Sequence, residues 1–205
     1  MTTTIDRTKC GDILGATVWA ELANEYLEGT SLTGVANAQR LATFLDHQVE
    51  TVQPYWFKHL GVAWVATINP EPYADLEAMS VDYLEADRHH NSEVLVSSCY
   101  CDHPVWTEEQ NLKFRVWHDT GHVLSGLGFD PDGELRLFAK QARAFQGNRD
   151  LERAEELVAA LFSESVYQLA ACIALGGFPD RQFVRGPGPV GRAVLATLLA
   201  LGDVL

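Results

Sequence analysis

Apolar residues recur at spacings of three and four along most of this chain, and that rhythm, the period of an α-helix, constrains the fold more than any other feature. Ile13, Val18, Leu22 and Tyr26 mark one such face over residues 11 to 29; Leu41, Phe44, Leu45 and Val52 mark another over 35 to 60. Pro54 falls inside the second pattern and is expected to kink or divide it, because proline lacks the N–H that a helix uses. The segment NPEPYADLEAM reads as a loop leading into a helix over 72–87. EVLVSSCY, from residue 93, reads as a short strand or an irregular connection. Further helices are expected over 108–127, 134–146 and 150–175, with GFDPDG as the turn between the first two. A Gly- and Pro-rich connector, GGFPDRQFVRGPGPVG, precedes a closing apolar helix. No repeat or linker interrupts the pattern, so the expected fold class is all-α, with residues 1–205 forming a single-domain multi-helix bundle and a metal site between helices.

The formal charge of −13 repels nucleic acid, which is bound by clustered Lys and Arg, so no nucleic-acid partner is expected. Cys10, Cys99, Cys101 and Cys172 are few and irregularly spaced, which suits reduced thiols in a cytoplasmic protein rather than a disulfide framework. The start, MTTTIDRTKCGDILG, has no apolar run behind a basic beginning and does not read as a signal peptide. No uninterrupted apolar run reaches about 18 residues, so a membrane-spanning helix is not expected. The apolar end, AVLATLLALGDVL, leaves peripheral membrane contact open.

The chemistry concentrates in FRVWHDTGHVLSGLGFDPDGE, residues 114 to 134. On a helix, Arg115, His118, His122 and Ser125 share one face, beside an apolar stripe of Leu112, Val116, Val123 and Leu127. Histidines at i and i+4 offer two imidazole nitrogens to one ion, and a carboxylate from another element would complete three protein ligands. Glu134, opening the next helix after a tight turn, is placed to be that carboxylate. Asp119 sits about 100° round the helix and either joins the metal shell or orients an imidazole from outside it. The alternative is a solvated histidine pair with no ion.

The string H-D-x-x-H, eleven residues, then E resembles the metal-binding signature of the Coq4 proteins of ubiquinone biosynthesis; His118, Asp119, His122 and Glu134 match its four positions, with Gly126 and Gly133 nearby. The resemblance covers about 30 residues. It implies an all-α fold, a metal beside a cavity for an isoprenoid tail, and oxidative removal of a carboxyl group from a quinone precursor.

A second feature lies in LFSESVYQLAA. Glu164 and Gln168 interrupt the apolar face formed by Leu157, Leu161, Ala171 and Leu175. A carboxylate there needs a partner: Arg115, Lys140 or Arg143 if its role is structural. If its role is functional, Glu164 is a further ligand or an acid/base, with Gln168 and Gln141 positioning water or substrate. Among weaker candidates, CYCDH offers Cys99, Cys101 and His103, for which small buried thiols are the commoner outcome. His89 and His90 read as solvated, His47 and His59 as surface or core-edge residues, and Trp64, Trp106 and Trp117 as core or pocket wall.

The leading expectation is therefore an enzyme using a divalent metal ion, Zn or Fe, on a small aromatic or isoprenoid-type molecule, with Asp119, Glu164 and Arg115 as its catalytic residues. Trp117, Leu124, Leu127 and Phe129 would wall an apolar cavity, and Arg115 would hold an anionic head. Two other classes compete. One is an HD-type phosphohydrolase, which also needs His89 or His90 and Asp180. The other is a lipid- or protein-binding module with a structural metal.

Overall fold

The computed structural model describes residues 13–29, 33–51, 63–89, 93–148 and 153–201. Pro54, His59, His90 and Cys10, together with the side chains of His47 and His89, lie outside what is described. In chain order the elements are α1 (Ala16–Glu28), α2 (Thr33–Thr51), β1 (Ala63–Thr67), α3 (Leu76–His89), β2 (Glu93–Ser97), α4 (Glu108–Ser125), α5 (Pro131–Gly147), α6 (Ala154–Phe162), a π-helical turn (Ser163–Tyr167), α7 (Gln168–Leu175) and α8 (Pro189–Leu201). The fold is mostly helical, as the apolar spacing predicts. The chain divides into two compact units, one of Met1–Leu41 with Asp130–Leu205 and one of Ala42–Phe129.

In the first unit, α1 buries Trp19, Leu22, Ala23 and Tyr26, an i, i+3, i+4, i+7 face that shares Leu22 and Tyr26 with the expected one, while Ile13 and Val18 are half-buried. That face packs on α7 and α8. Helix α5 buries Leu135, Phe138, Ala142 and Phe145 in the same way and packs on α6 and α8. Each leucine and phenylalanine among them contributes about 1.5–3 kcal/mol on full burial. Asp130 caps α5, accepting from the N–H groups of Asp132 and Gly133 at 3.1 Å each, and Pro131 takes the first helical position, where its missing N–H costs nothing. The helix thus starts three residues before the expected 134, and PDG belongs to its first turn rather than to the loop.

Of the helix expected over 150–175, residues 154–175 are helical, with a π-helical turn at the centre, and 150–152 lie outside the described residues. Across that turn Ser163 and Tyr167 serve the connector to α8: Ser163 Oγ accepts from the Arg185 N–H at 3.1 Å, and Tyr167 Oη accepts from the Gly188 N–H at 2.8 Å. Tyr167 also donates to Glu25 at 2.6 Å. The Glu25 carboxylate in turn accepts the N–H groups of Val190 and Gly191, at 2.8 and 2.9 Å, where α8 exposes unsatisfied donors and the positive end of its dipole. Gly191 is required there, since a Cβ would collide with the Tyr167 hydroxyl.

The membrane expectation needs one correction. Ala154–Leu175 is 22 residues long and, by length and composition, apolar enough to cross a bilayer. Of its most apolar window 78% is buried inside the fold, so packing accounts for that composition.

In the second unit, β1 and β2 pair in parallel, Val65 opposite Leu95, with α3 as the crossover. The strand at 93 ends at Ser97, earlier than its apolar run suggested; β1 is an element the spacing did not predict. Helix α3 packs on β2 and α4 through Met79, Tyr83 and Val94, with Tyr73 and Val123 at the margin. A second cluster joins Val96 to Leu112 and Val116.

Candidate metal centre

Helix α4 is fixed at both ends by its own sequence. Thr107 and Gln110 form a reciprocal capping box, each side chain accepting the other's backbone N–H at 3.2 Å. At the far end Gly126 is left-handed, with φ 67°, and the Leu127 N–H returns to the His122 carbonyl at 3.3 Å. This reversal also turns the Leu127 carbonyl over the His122 ring, which it meets at Nδ1, 2.9 Å away.

That contact settles the tautomer of His122. A carbonyl oxygen only accepts, so Nδ1 carries the proton and Nε2 presents a lone pair. His122 Nε2 lies 3.2 Å from His118 Nε2, so in the neutral pair His118 supplies the hydrogen between them. Two nitrogens bound at ~2.0–2.1 Å to a tetrahedral ion are about 3.3 Å apart. The pair therefore already has the spacing of two ligands on one metal. Its rings stand nearly perpendicular, at 84°; Phe114 stacks on His118 with ring centres 5.7 Å apart, and Phe129 meets His122 edge-on at 4.8 Å. His122 is 1% exposed, and His118 is half-buried.

His118, His122 and Glu134 are a group that could hold a metal ion. Glu134 stands in the first turn of α5, its N–H bonded to the Asp130 carbonyl at 3.0 Å. Its negative charge reaches Cys172, whose thiol is pushed up to about 12, first by burial and then by Glu134. Asp119, expected as a fourth ligand or orienting residue, is not among that group. Its charge also reaches Tyr73 and Tyr83, whose hydroxyls are raised well above the ordinary phenol range by burial first, then at Tyr73 by Asp82, and in smaller part by Asp119. Tyr83 bonds Thr120 Oγ1 at 2.8 Å. Because the Thr120 hydroxyl donates to the Val116 carbonyl at 2.6 Å, Tyr83 is the donor, which ties α3 to α4 one residue beyond Asp119.

Arg115, expected to hold an anion, is engaged by the backbone beside it. Its guanidinium donates to the carbonyls of Ser97 and Tyr100 at 2.7 and 3.2 Å and to Asn111 Oδ1 at 3.1 Å, clamping the turn after β2 onto α4. Glu164 is 5% exposed in the π-helical turn and accepts from Gln168 Nε2 at 2.7 Å, the i,i+4 partnership their spacing allows. Of the cavity residues, Leu124 is 59% exposed and Phe129 38%, so Leu124 points mainly to solvent rather than walling an enclosed space. His103 is buried and structural: its Nδ1 accepts the Val105 and Trp106 N–H groups at 3.2 and 2.8 Å, and its ring stacks on Trp106. Cys99 and Cys101 are half-buried rather than core thiols.

Two contributors escape a reading of ligand spacing alone, the Leu127 carbonyl and the Phe114 ring. Gly126 after the last helical residue signals the first, and the i,i+4 spacing of Phe114 to His118 signals the second.

No family model, curated protein or solved structure matches this chain.

Proposed function

We propose that the protein is a metal-dependent enzyme in which His118, His122 and Glu134 hold one divalent zinc or iron ion, and that its substrate is a small aromatic or isoprenoid-type molecule. The observation that carries the reading is the imidazole pair, with Nε2 atoms 3.2 Å apart and His122 locked by the Leu127 carbonyl. Metal-bound histidines characteristically pass their other N–H to a carbonyl or carboxylate, as His122 passes its Nδ1–H to the Leu127 carbonyl. Three protein ligands leave coordination positions open for chemistry, and a bound ion would supply Lewis acidity or, as iron, redox capacity.

The likeness of HDxxH-x11-E to the Coq4 signature favours oxidative decarboxylation or hydroxylation of an aromatic acid. Within that reading, His122 keeps its proton on Nδ1 and offers Nε2, while His118 would free its Nε2 by changing tautomer, its hydrogen going to solvent and Nδ1 taking one up in its place. Glu164 is the acid/base, held by Gln168, and Asp119 steadies the α3 side of α4 beside the histidines. Arg115 acts by positioning, through the β2 turn.

The test is turnover of aromatic carboxylic acids bearing short prenyl chains, followed by carbon dioxide release and oxygen uptake, with protein stripped by chelator and reloaded with Fe(II) or Zn(II). Activity that appears only on reloading and is lost in Glu164→Gln, with metal retained, supports the assignment. Metal-independent turnover, or unchanged activity in Glu164→Gln, contradicts it.

A further inference from the structure

The turn after β2 holds two thiols that the metal centre does not use. Cys99 and Cys101 are both half-buried and flank Tyr100, whose φ of 58° is left-handed. A non-glycine residue in that region costs on the order of 1 kcal/mol or more, and it persists here under the bond from Arg115 to the Tyr100 carbonyl. The conformation matters for the flanking cysteines. A helical-type turn of either hand sets Cα atoms two residues apart at about 5.5 Å. That lies within the ~4.4–6.8 Å a disulfide spans, and closer than an extended residue would leave them.

The local bonds leave both thiols chemically available. Cys99 Sγ donates to the Ile68 carbonyl at 3.0 Å at an exposed position, and the Cys99 N–H is bonded to Ser97 Oγ at 3.2 Å, so its backbone is fixed while its sulfur stays within reach of a small molecule in solution. The Cys101 thiol is raised, chiefly by burial; the Arg115 guanidinium opposes that rise and the Glu108 carboxylate adds to it. The charge of Cys99 also reaches Cys101, as expected for neighbouring sulfurs. Cys172, by contrast, is buried and held protonated.

We propose that Cys99 and Cys101 are a dithiol–disulfide couple, oxidised by low-molecular-weight disulfides such as glutathione disulfide. The Cys99 thiolate attacks one sulfur of the small disulfide; that S–S bond breaks, and the first thiolate leaves and takes up a proton. Cys101, as thiolate, then attacks the Cys99 sulfur, forming the Cys99–Cys101 bond and releasing the second small thiol. Two electrons pass from the protein to the small disulfide, and the two protein thiol hydrogens end on the two small thiols. The couple does not depend on the metal reading.

The experiment uses the full chain with Cys10→Ser, equilibrated natively with glutathione disulfide and followed by intact mass and peptide mapping. The expected product has lost two hydrogens, carries no glutathione, maps to a bond between residues 99 and 101, and reverts with dithiothreitol. In Cys101→Ser, or Cys101→Ala if serine unfolds the chain, Cys99 should instead retain one glutathione. Glutathione adducts accumulating on the Cys10→Ser protein, a bond to Cys172, or thiols that stay reduced while the protein stays folded would overturn the couple.

Discussion

At the scale of single residues, the account rests on how few atoms decide whether two histidines are a metal site. His118 and His122 at i and i+4 were legible in the sequence, and so was Glu134 as their partner. What gives the pair its direction was not: the Leu127 carbonyl reaches His122 Nδ1 only because Gly126 reverses the chain. Gly126→Ala therefore makes a sharp test. No atom lies within 4 Å of the added methyl, so the whole cost is the left-handed backbone, about 1 kcal/mol by chemical denaturation. If the altered turn also lets the carbonyl drift from His122, metal affinity measured by chelator competition should fall about 10-fold or more. Lost stability with unchanged affinity would remove the carbonyl from the metal's support.

Among the elements, α4 was the most legible, because Thr107, Gln110 and Gly126 signal its ends within a residue or two. The π-helical turn left no trace in the pattern: Ser163, Glu164, Ser165 and Gln168 already interrupt the apolar spacing there, so one extra residue does not stand out as a break. Strand β1 was missed because five residues, AWVAT, are too few to distinguish a strand from a helix end. Arg115 could be placed on a face of α4, but its clamp on the β2 turn could not be read, since two of its three acceptors are backbone carbonyls 15 and 18 residues away, which carry no side-chain signature. Arg115→Ala should lower stability by about 1.5–3 kcal/mol, the range for hydrogen bonds to a charged donor, and raise hydrogen exchange in β2 and its turn. No change in exchange there would contradict the clamp. In the other unit, Glu25→Ala removes the anion at the start of α8 and orphans the N–H groups of Val190 and Gly191; a loss of about 1–3 kcal/mol is expected, with faster exchange confined to α8 and its connector. Uniform destabilisation without that local signature would count against it.

For the whole molecule, the mostly helical class followed from periodicity, whereas the two compact units did not, because apolar spacing records which faces are buried and not which elements share a core. A ligand bound only by the folded chain stabilises it by mass action, about 2.7 kcal/mol at a hundredfold excess over its dissociation constant. Stripping the metal should thus lower the melting temperature by about 5–10 °C in a protein of this size, and readdition should restore it. The central claim, that His118, His122 and Glu134 together hold one ion, is tested most directly by metal content per chain in protein purified without added metal, beside His118→Ala, His122→Ala and Glu134→Ala. One zinc or iron per chain in the parent protein, and loss of most of it in each of the three variants, is the result predicted; full retention of metal in Glu134→Ala, or a folded parent protein that takes up none when zinc or iron is supplied, would contradict it.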